Sequence, residues 1–172
     1  VMLSAETAIG IHPEKVIEAV DKIAVETEKD PLYFRNLETS RSVSKEGVSN
    51  AITVAAREVA DNINVKVICC FTHGGTTAEL ASRERPRAPI IALTPYIETA
   101  RKLTLFWGLH CVVTTPVDRF KRAVMNAVKA AKLFEFASGK DLIIVIAGVP
   151  FNTPGSTNIL RVVSLEENFD DF

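Results

Sequence analysis

The segment VKVICCFTHGGTT, residues 65–77, indicates how this chain folds. It begins with a nearly continuous apolar run of strand length, which is typical of a strand buried on both faces of a parallel sheet. Glycines and threonines follow, and the next residues have helical propensity. Free backbone N–H groups at a helix start, beside small hydroxylated side chains, suit a phosphate group. The segment predicts a strand ending in an anion-binding turn, formed by Thr72, His73, Gly74, Gly75, Thr76 and Thr77.

Helical and strand patterns alternate on both sides of this segment. Apolar spacing and run length predict helices at 45–60, 97–103 and 117–136, and further strands at 90–93, 109–113, 142–146 and 159–165. Such alternation predicts a parallel sheet covered on both faces, whereas the last two strands share only a loop and should pair antiparallel. The expected fold is α/β, a three-layer α-β-α sandwich around a five-stranded, mostly parallel sheet with one antiparallel edge strand.

The first 44 residues have a different pattern. Residues 1–3 are apolar and strand-like, and helical spacing resumes from Pro13 to about residue 28. Residues 31–44 are rich in serine and threonine without a clear period, and we interpret them as a linker. A domain at 45–166 and an acidic tail at 167–172 complete the expected organisation. Because the chain does not start with methionine, we expect it to begin inside a longer protein.

Composition limits the classes of function. Hydrophobic residues make up 47% of the chain, charged residues make up 24%, and the formal net charge is −1. These values predict a globular protein without a general attraction to nucleic acid or to anionic membranes. The longest apolar run, 142–149, is too short to cross a bilayer, and no charged-then-apolar leader precedes it at the N-terminus. We therefore expect a cytoplasmic protein whose anion site, if present, is local.

The cysteines and histidines do not show metal-ligand spacing. Cys69 and Cys70 are adjacent in one apolar strand, and Cys111 lies in another. This arrangement predicts buried free thiols, with neither a disulfide framework nor a metal site.

The turn at 72–77 has a second interpretation, a plain strand-to-helix turn whose hydroxyl groups cap the helix. It is not a Walker loop because it has no lysine, and Gly74-Gly75 alone does not make a dinucleotide fingerprint. A second loop, residues 148–158, is rich in Gly, Pro, Ser and Thr and is expected at the same end of the sheet. Ligands of open α/β sheets bind at the carboxyl ends of the strands, so two loops there favour a binding site.

Three motifs resemble the pyruvate kinase family. VMLSAETAIGIHP, residues 1–13, is similar to the family's VMLSGETAxGxYP segment. The turn at 72–78, together with SRERP and APIIALT at 82–86 and 88–94, resembles its threonine-rich turn and S-x-x-R-P-x-x-P-I-I-A-x-T run. GVP at 148–150 with GSTN at 155–158 is similar to the G-x-P…G-T-T-N loop of bacterial members. The resemblance covers nearly the whole chain.

The resemblance implies that residues 45–166 form the family's C-terminal domain, which carries an effector site and a subunit contact. Residues 1–30 would correspond to the last strand and helix of the catalytic barrel. In that family the barrel transfers a phosphoryl group from phosphoenolpyruvate to ADP in glycolysis, giving pyruvate and ATP. Its catalytic lysine, metal-binding carboxylates and phosphate-binding arginine precede the segment that matches Val1. This part alone is therefore expected to be non-catalytic and without a cofactor, while Mg²⁺ and K⁺ would belong to the full enzyme.

The resemblance also implies a ligand and its binding residues. A phosphorylated effector (fructose 1,6-bisphosphate, AMP or a sugar monophosphate) would lie on the turn at 72–77. Gly155, Ser156 and Thr157 would close over it, and Arg119 or Arg122 would supply a cation to a second phosphate. The full enzyme would be a homo-oligomer, a tetramer. Because Gly74 stands where bisphosphate-activated members commonly have serine, a structural oligomerisation module without an effector site remains the alternative.

Overall fold

The computed structural model describes residues 1–40, 46–151, 153 and 155–167. The chain separates into two compact units, Val1–Ser44 and Lys45–Phe172. None of the helices that the described residues form combines the length and the hydropathy needed to cross a lipid bilayer.

The first unit is helical. It contains α1 (Ala5–Ala8), α2 (Pro13–Lys29) and α3 (Pro31–Ser40). Pro13 occupies the first turn of α2, where its missing N–H costs nothing, and the helix predicted from this residue is confirmed. No residue of α1 or α2 is buried within the chain.

Two predictions for this unit were wrong. Residues 1–4 have no regular secondary structure, so the strand expected at 1–3 is not formed; a strand needs a neighbour to receive its hydrogen bonds. Residues 31–40 form α3, although no regular structure was expected in the predicted linker. The start signal is Asp30-Pro31: the Asp30 carboxylate accepts a 2.8 Å hydrogen bond from the Leu32 N–H, and Pro31 takes the first helical position. The rest of that linker, 41–44, lies outside the described residues.

The second unit is built around a five-stranded sheet. Its elements in chain order are α4 (Val48–Asn62), β1 (Val67–Phe71), α5 (Thr76–Arg83), β2 (Ile90–Thr94), α6 (Ile97–Leu103), β3 (Leu109–Val113), α7 (Phe120–Leu133), β4 (Leu142–Gly148) and β5 (Thr157–Ser164). The strand order is β3-β2-β1-β4-β5, with β1 in the centre. All pairs are parallel except β4 with β5, so the predicted antiparallel edge strand is confirmed.

The core lies on both faces of this sheet. Successive strand residues point to opposite faces, and all five residues of β1 are buried. Val67 and Cys69 pack with the alanines of α7 on one face, whereas Ile68 and Cys70 pack with residues of α4, α5 and α6 on the other. The predicted three-layer α/β architecture is therefore confirmed. The two adjacent thiols are free and buried, and burial raises the pKa of Cys69 to about 12.

The antiparallel edge strand starts earlier than predicted, and its start shapes one end of the sheet. β5 starts at Thr157, two positions before the predicted residue 159, and Thr157 pairs with Gly148 across a register shift in β4. A side chain at position 148 would collide with the residue before β5, because a Cβ there would lie 2.2 Å from Ser156 Oγ and 2.9 Å from the backbone carbonyl carbon of Ser156. The glycine thus allows β4 and the residues before β5 to approach closely. Of the predicted tail, only Glu167 is described, and its carboxylate pairs with Arg161.

Candidate functional site

A cavity opens at the carboxyl ends of β1, β2 and β3 and at the start of β5. One part of its wall is polar and carries hydroxyl groups and backbone from the turn after β1 and from the approach to β5. Those residues are Thr72, His73, Gly74, Thr76, Thr77, Gly155, Ser156 and Thr157.

The turn after β1 is shaped by Gly75. This residue is the N-cap of α5 and has φ +103°, a left-handed conformation that favours glycine. Its N–H donates a 2.9 Å hydrogen bond to Thr72 Oγ1, which closes the turn. α5 then begins at Thr76, and the first N–H groups of a helix have no partner within that helix. These groups and the helix dipole favour an anion at the turn, and the Glu79 carboxylate in the same first turn is paired with Lys102 at 2.7 Å.

Two threonine hydroxyls connect the two sides of the cavity. Thr77 Oγ1 in the first turn of α5 lies 2.6 Å from Thr157 Oγ1 at the start of β5, and both residues are buried. The bond crosses from the predicted phosphate turn to the predicted closing loop. It fixes the distance between two polar surfaces that are far apart in sequence.

Three side chains hold the segment between β4 and β5 in place. Asn158 accepts a hydrogen bond from the Val149 N–H (2.9 Å) and donates one to the Val149 carbonyl (2.6 Å). Ser156 Oγ donates to the Thr153 carbonyl at 2.7 Å. Ser49, from α4, donates to the Gly155 carbonyl at 2.8 Å. The polar edge formed by this segment is therefore positioned by specific bonds.

The rim of the cavity carries an aromatic pair. The exposed His73 ring packs at 4.5 Å, between centroids, against the Tyr96 ring. Thr99 Oγ1 donates a 3.0 Å hydrogen bond to the His73 carbonyl, which ties the turn to α6. These contacts fix His73 at the mouth of the cavity.

Charged side chains are rare in this wall. Among the described residues that line the cavity, His73 is the only one with an ionisable side chain. The rest of the described lining combines the apolar residues Phe71, Leu93, Pro95, Val117 and Phe151 with Thr114, Thr115, Thr153 and Gly148. Within the described parts of the chain, no group of three or more His, Cys, Asp or Glu residues is placed to hold a metal ion. The described lining therefore combines hydroxyl groups and backbone with apolar side chains and carries little charge.

Comparison with known proteins identifies the family. The sequence model described as "Pyruvate kinase, alpha/beta domain" matches residues 50–163, more than half of the chain. The chain belongs to the pyruvate kinase family. It is 41% identical to a pyruvate kinase of Methylorubrum extorquens over 94% of this chain and 34% of that protein, and 38% identical to one of Staphylococcus aureus over 94% and 28%. It thus spans about a third of the length of the curated relatives it matches.

A solved pyruvate kinase has the same fold. The crystal structure of a Cryptosporidium parvum pyruvate kinase superposes with a TM-score of 0.81 and 28% sequence identity, covering 95% of this chain and 32% of that one. The five-stranded sheet of the second unit, with its antiparallel β4–β5 pair, therefore has the fold of the pyruvate kinase C-terminal domain.

Eight of the eleven residues predicted for a pyruvate kinase effector site line the cavity. Gly75 does not, because it is buried behind the turn that it shapes. Arg119 and Arg122 are exposed and are not among the lining residues, and Arg122 pairs with Asp118 at 3.3 Å. The cation expected for a second phosphate is therefore not part of the lining.

Several lining residues were missed from the sequence. Pro95, Thr114, Thr115 and Val117 follow β2 and β3, and none of them is among the predicted site residues. The signal was present, since Thr94-Pro95 and Thr114-Thr115 occupy equivalent places after neighbouring parallel strands. Carboxyl ends of such strands meet at one edge of the sheet.

Proposed function

We propose that this chain supplies the regulatory and subunit-contact domain of a pyruvate kinase, and that its cavity binds one phosphoryl group of a phosphorylated effector. The observation that carries the proposal is the Thr77–Thr157 hydroxyl pair, which lies at the start of α5 and lines the cavity. The full enzyme would transfer a phosphoryl group between phosphoenolpyruvate and ADP, and by family membership it would be a cytoplasmic homo-oligomer.

The turn offers hydrogen-bond donors to an anion. A hydroxyl group has one proton to donate and two lone pairs to accept. Thr72 Oγ1 already accepts the Gly75 N–H, so its own proton remains available to a ligand. The N–H groups at the start of α5 point the positive end of the helix dipole toward the same place. These donors favour a phosphoryl oxygen, which only accepts when fully ionised.

The threonine pair supplies one further donor. Only one of the two hydroxyls donates within the 2.6 Å bond, so the other hydroxyl keeps its proton. A phosphoryl oxygen would accept a hydrogen bond from that hydroxyl. This bond would determine which threonine donates to the other. Ligand binding would in this way add a hydrogen bond without breaking the existing one.

The charge of the lining favours one phosphate over two. A second phosphate would meet Thr114, Thr115, Thr153 or apolar side chains such as Val117 and Phe151, and none of the described lining residues is a lysine or arginine that could pair with it. Moving an unpaired charge out of water is strongly unfavourable. AMP or a sugar monophosphate therefore fits the cavity better than fructose 1,6-bisphosphate.

Isothermal titration calorimetry of this chain with ribose 5-phosphate, AMP and fructose 1,6-bisphosphate tests the proposal. We expect at least one monophosphate to bind and the bisphosphate to bind no more tightly. Absence of heat with all three compounds would contradict effector binding.

A structural oligomerisation module without an effector site is the second candidate. The observation in its favour is Gly74, which places no side chain in the cavity where a hydroxyl would serve a phosphate. Under this candidate the three titrations are silent, while the chain still self-associates in analytical ultracentrifugation.

A further inference from the structure

Ser49 bonds the backbone of the cavity wall, although it is not itself among the lining residues. It is the second residue of α4, and its hydroxyl donates to the carbonyl of Gly155, 106 positions away, at 2.8 Å. The same hydroxyl lies 3.5 Å from the carbonyl of Thr157. Both of these partners line the cavity. One hydroxyl of α4 thus contacts the backbone on which the outer wall of the site depends.

The Ser49 hydroxyl is not used to cap its own helix. Ser49 is the second helical residue of α4, beyond the N-cap position, and it directs its hydroxyl to another segment. The N-cap of α4 is Gly47, which has no side chain to satisfy the first N–H groups of the helix. The Ser49 carbonyl in turn accepts a 3.1 Å hydrogen bond from the buried hydroxyl of Thr53. The start of α4 is therefore ordered partly by its bond to the cavity wall.

A continuous set of polar contacts connects the phosphate turn with α4. Thr77 of the turn bonds Thr157, the Thr157 backbone approaches Ser49, and Ser49 holds Gly155. The starts of three elements, α5, β5 and α4, meet through these groups. A ligand that bonds Thr77 and draws in the segment at 155–157 acts on the same backbone that Ser49 holds.

We propose that Ser49 is a positioning residue that holds the 155–157 segment ready for a phosphoryl ligand and transmits ligand binding to the first turn of α4. This inference rests on the proposed effector site. According to this inference, α4, the first element of the second unit, responds to the effector through the Ser49 hydroxyl.

The test uses this chain with ribose 5-phosphate and AMP as probes and compares Ser49→Ala with Ser49→Thr, which keeps a hydroxyl. Calorimetry measures affinity, and hydrogen exchange by NMR measures protection of the amides at residues 51–54 with and without saturating probe. In the unmodified chain we expect the probe to slow exchange at these amides. In Ser49→Ala we expect affinity to fall about 2-fold to 12-fold, the range given by one ordinary hydrogen bond, and the exchange response to disappear at saturation. Ser49→Thr should keep both.

Exposed Ser138, changed to alanine, is the matched control and should leave affinity and the exchange response unchanged. A wild-type response in Ser49→Ala, or binding to the unmodified chain without any change at 51–54, would overturn this inference and leave the proposed effector site standing. Absence of binding by either probe would overturn both. The measurement on the unmodified chain does not depend on the folding of any variant.

Discussion

Thr77 Oγ1 and Thr157 Oγ1 lie 2.6 Å apart in a buried hydrogen bond that joins the first turn of α5 to the start of β5. The residues are 7% and 2% exposed, so this bond is largely shielded from solvent although both residues line the cavity. The two sides of the cavity are therefore coupled energetically as well as spatially.

The first prediction concerns stability. Thr77→Val or Thr157→Val alone leaves one buried hydroxyl without a partner and should lower the free energy of unfolding by about 1–3 kcal/mol. The double variant removes both polar groups at nearly constant shape and should lose clearly less than the sum of the two single losses. Urea denaturation of the four proteins measures this. Strict additivity would contradict the coupling.

The second prediction concerns ligand affinity. Thr77→Val removes a proposed donor to the phosphoryl group and should weaken ribose 5-phosphate binding by about 1.5–3 kcal/mol, the range for hydrogen bonds to charged groups. Thr104→Val is the control, because the exposed Thr104 hydroxyl bonds only the Arg101 carbonyl among the described contacts and lies outside the lining. Calorimetry should show a loss of affinity in the first variant only. Equal affinities of the two variants for ribose 5-phosphate would show that Thr77 does not bind the phosphoryl group.

The third prediction adds a hydroxyl to the cavity. A Cβ at Gly74 would meet no atom within 4 Å, and the backbone there does not have a positive φ, so a side chain fits without strain. Gly74→Ser should tighten binding of a monophosphate by about 0.5–1.5 kcal/mol through one new donor. Gly74→Ala adds the carbon without the hydroxyl and is the matched control. If alanine tightens binding as much as serine, the gain does not come from a hydrogen bond.

The fourth prediction concerns a buried ion pair between α4 and the end of α5. Arg57 Nε lies 3.9 Å from Glu84 Oε2, and both residues are 8% exposed. Arg57→Ala removes one of the cations beside the buried Glu84 carboxylate, which keeps Arg83 at 3.2 Å, and should cost about 1–3 kcal/mol of stability, the range for removing a partner from a buried polar group. The exposed pair Arg101–Glu98 provides the comparison, since Arg101→Ala should cost at most about 1 kcal/mol. Similar losses in urea denaturation for both variants would contradict the importance of burial.

The fifth prediction is a loss of stability at alkaline pH. Burial raises the pKa of the Cys69 thiol from 9.0 to about 12, so the folded chain keeps this thiol neutral while the unfolded chain ionises it. Ionisation of Cys69 therefore does not lower the free energy of unfolding below pH 9, and it lowers that free energy progressively as the pH rises toward 12. At pH 10, Cys69 alone should make the free energy of unfolding about 1.4 kcal/mol lower than at neutral pH. Burial also raises the pKa of Cys70, which adds to the effect.

Urea denaturation of the unmodified chain and of Cys69→Ala at pH 8 and pH 10 measures this contribution. The variant should lose less stability between the two pH values than the unmodified chain, even if it is less stable at both. An identical pH dependence would show that Cys69 is not protected from ionisation. As an independent check, an alkylating reagent should modify the partly buried Cys111 before either thiol of β1.

The sequence predicted most of the second unit because its signals are local. The apolar run of β1 and the helical spacing of α7 do not depend on distant residues. The α7 prediction was nevertheless too long, since the helix ends at Leu133 and Glu135 adopts a positive φ of 59°. α3 was missed because residues 31–44 show no clear period and were interpreted as a linker, although a capping aspartate before proline starts a helix.

The site was less predictable because its geometry arises from contacts between distant segments. Composition of the turn singled out Thr77, but its bond to Thr157 spans 80 positions and depends on the register at the start of β5. The arginines at 119 and 122 follow a lining residue closely in sequence, yet their side chains are exposed at the start of α7. Proximity along the chain therefore did not establish which side chains face a ligand.

The central position of β1 has a practical consequence for identifying natural ligands. β1 is hydrogen-bonded on both sides, to β2 and β4, and the polar turn is its direct continuation. A metabolite that binds there contacts residues that come together only while the sheet is intact, so its binding free energy adds to the free energy of unfolding. At a concentration 100 times its Kd, such a compound adds about 2.7 kcal/mol. A thermal-shift screen of a metabolite library would therefore rank candidate ligands without any assay of catalysis.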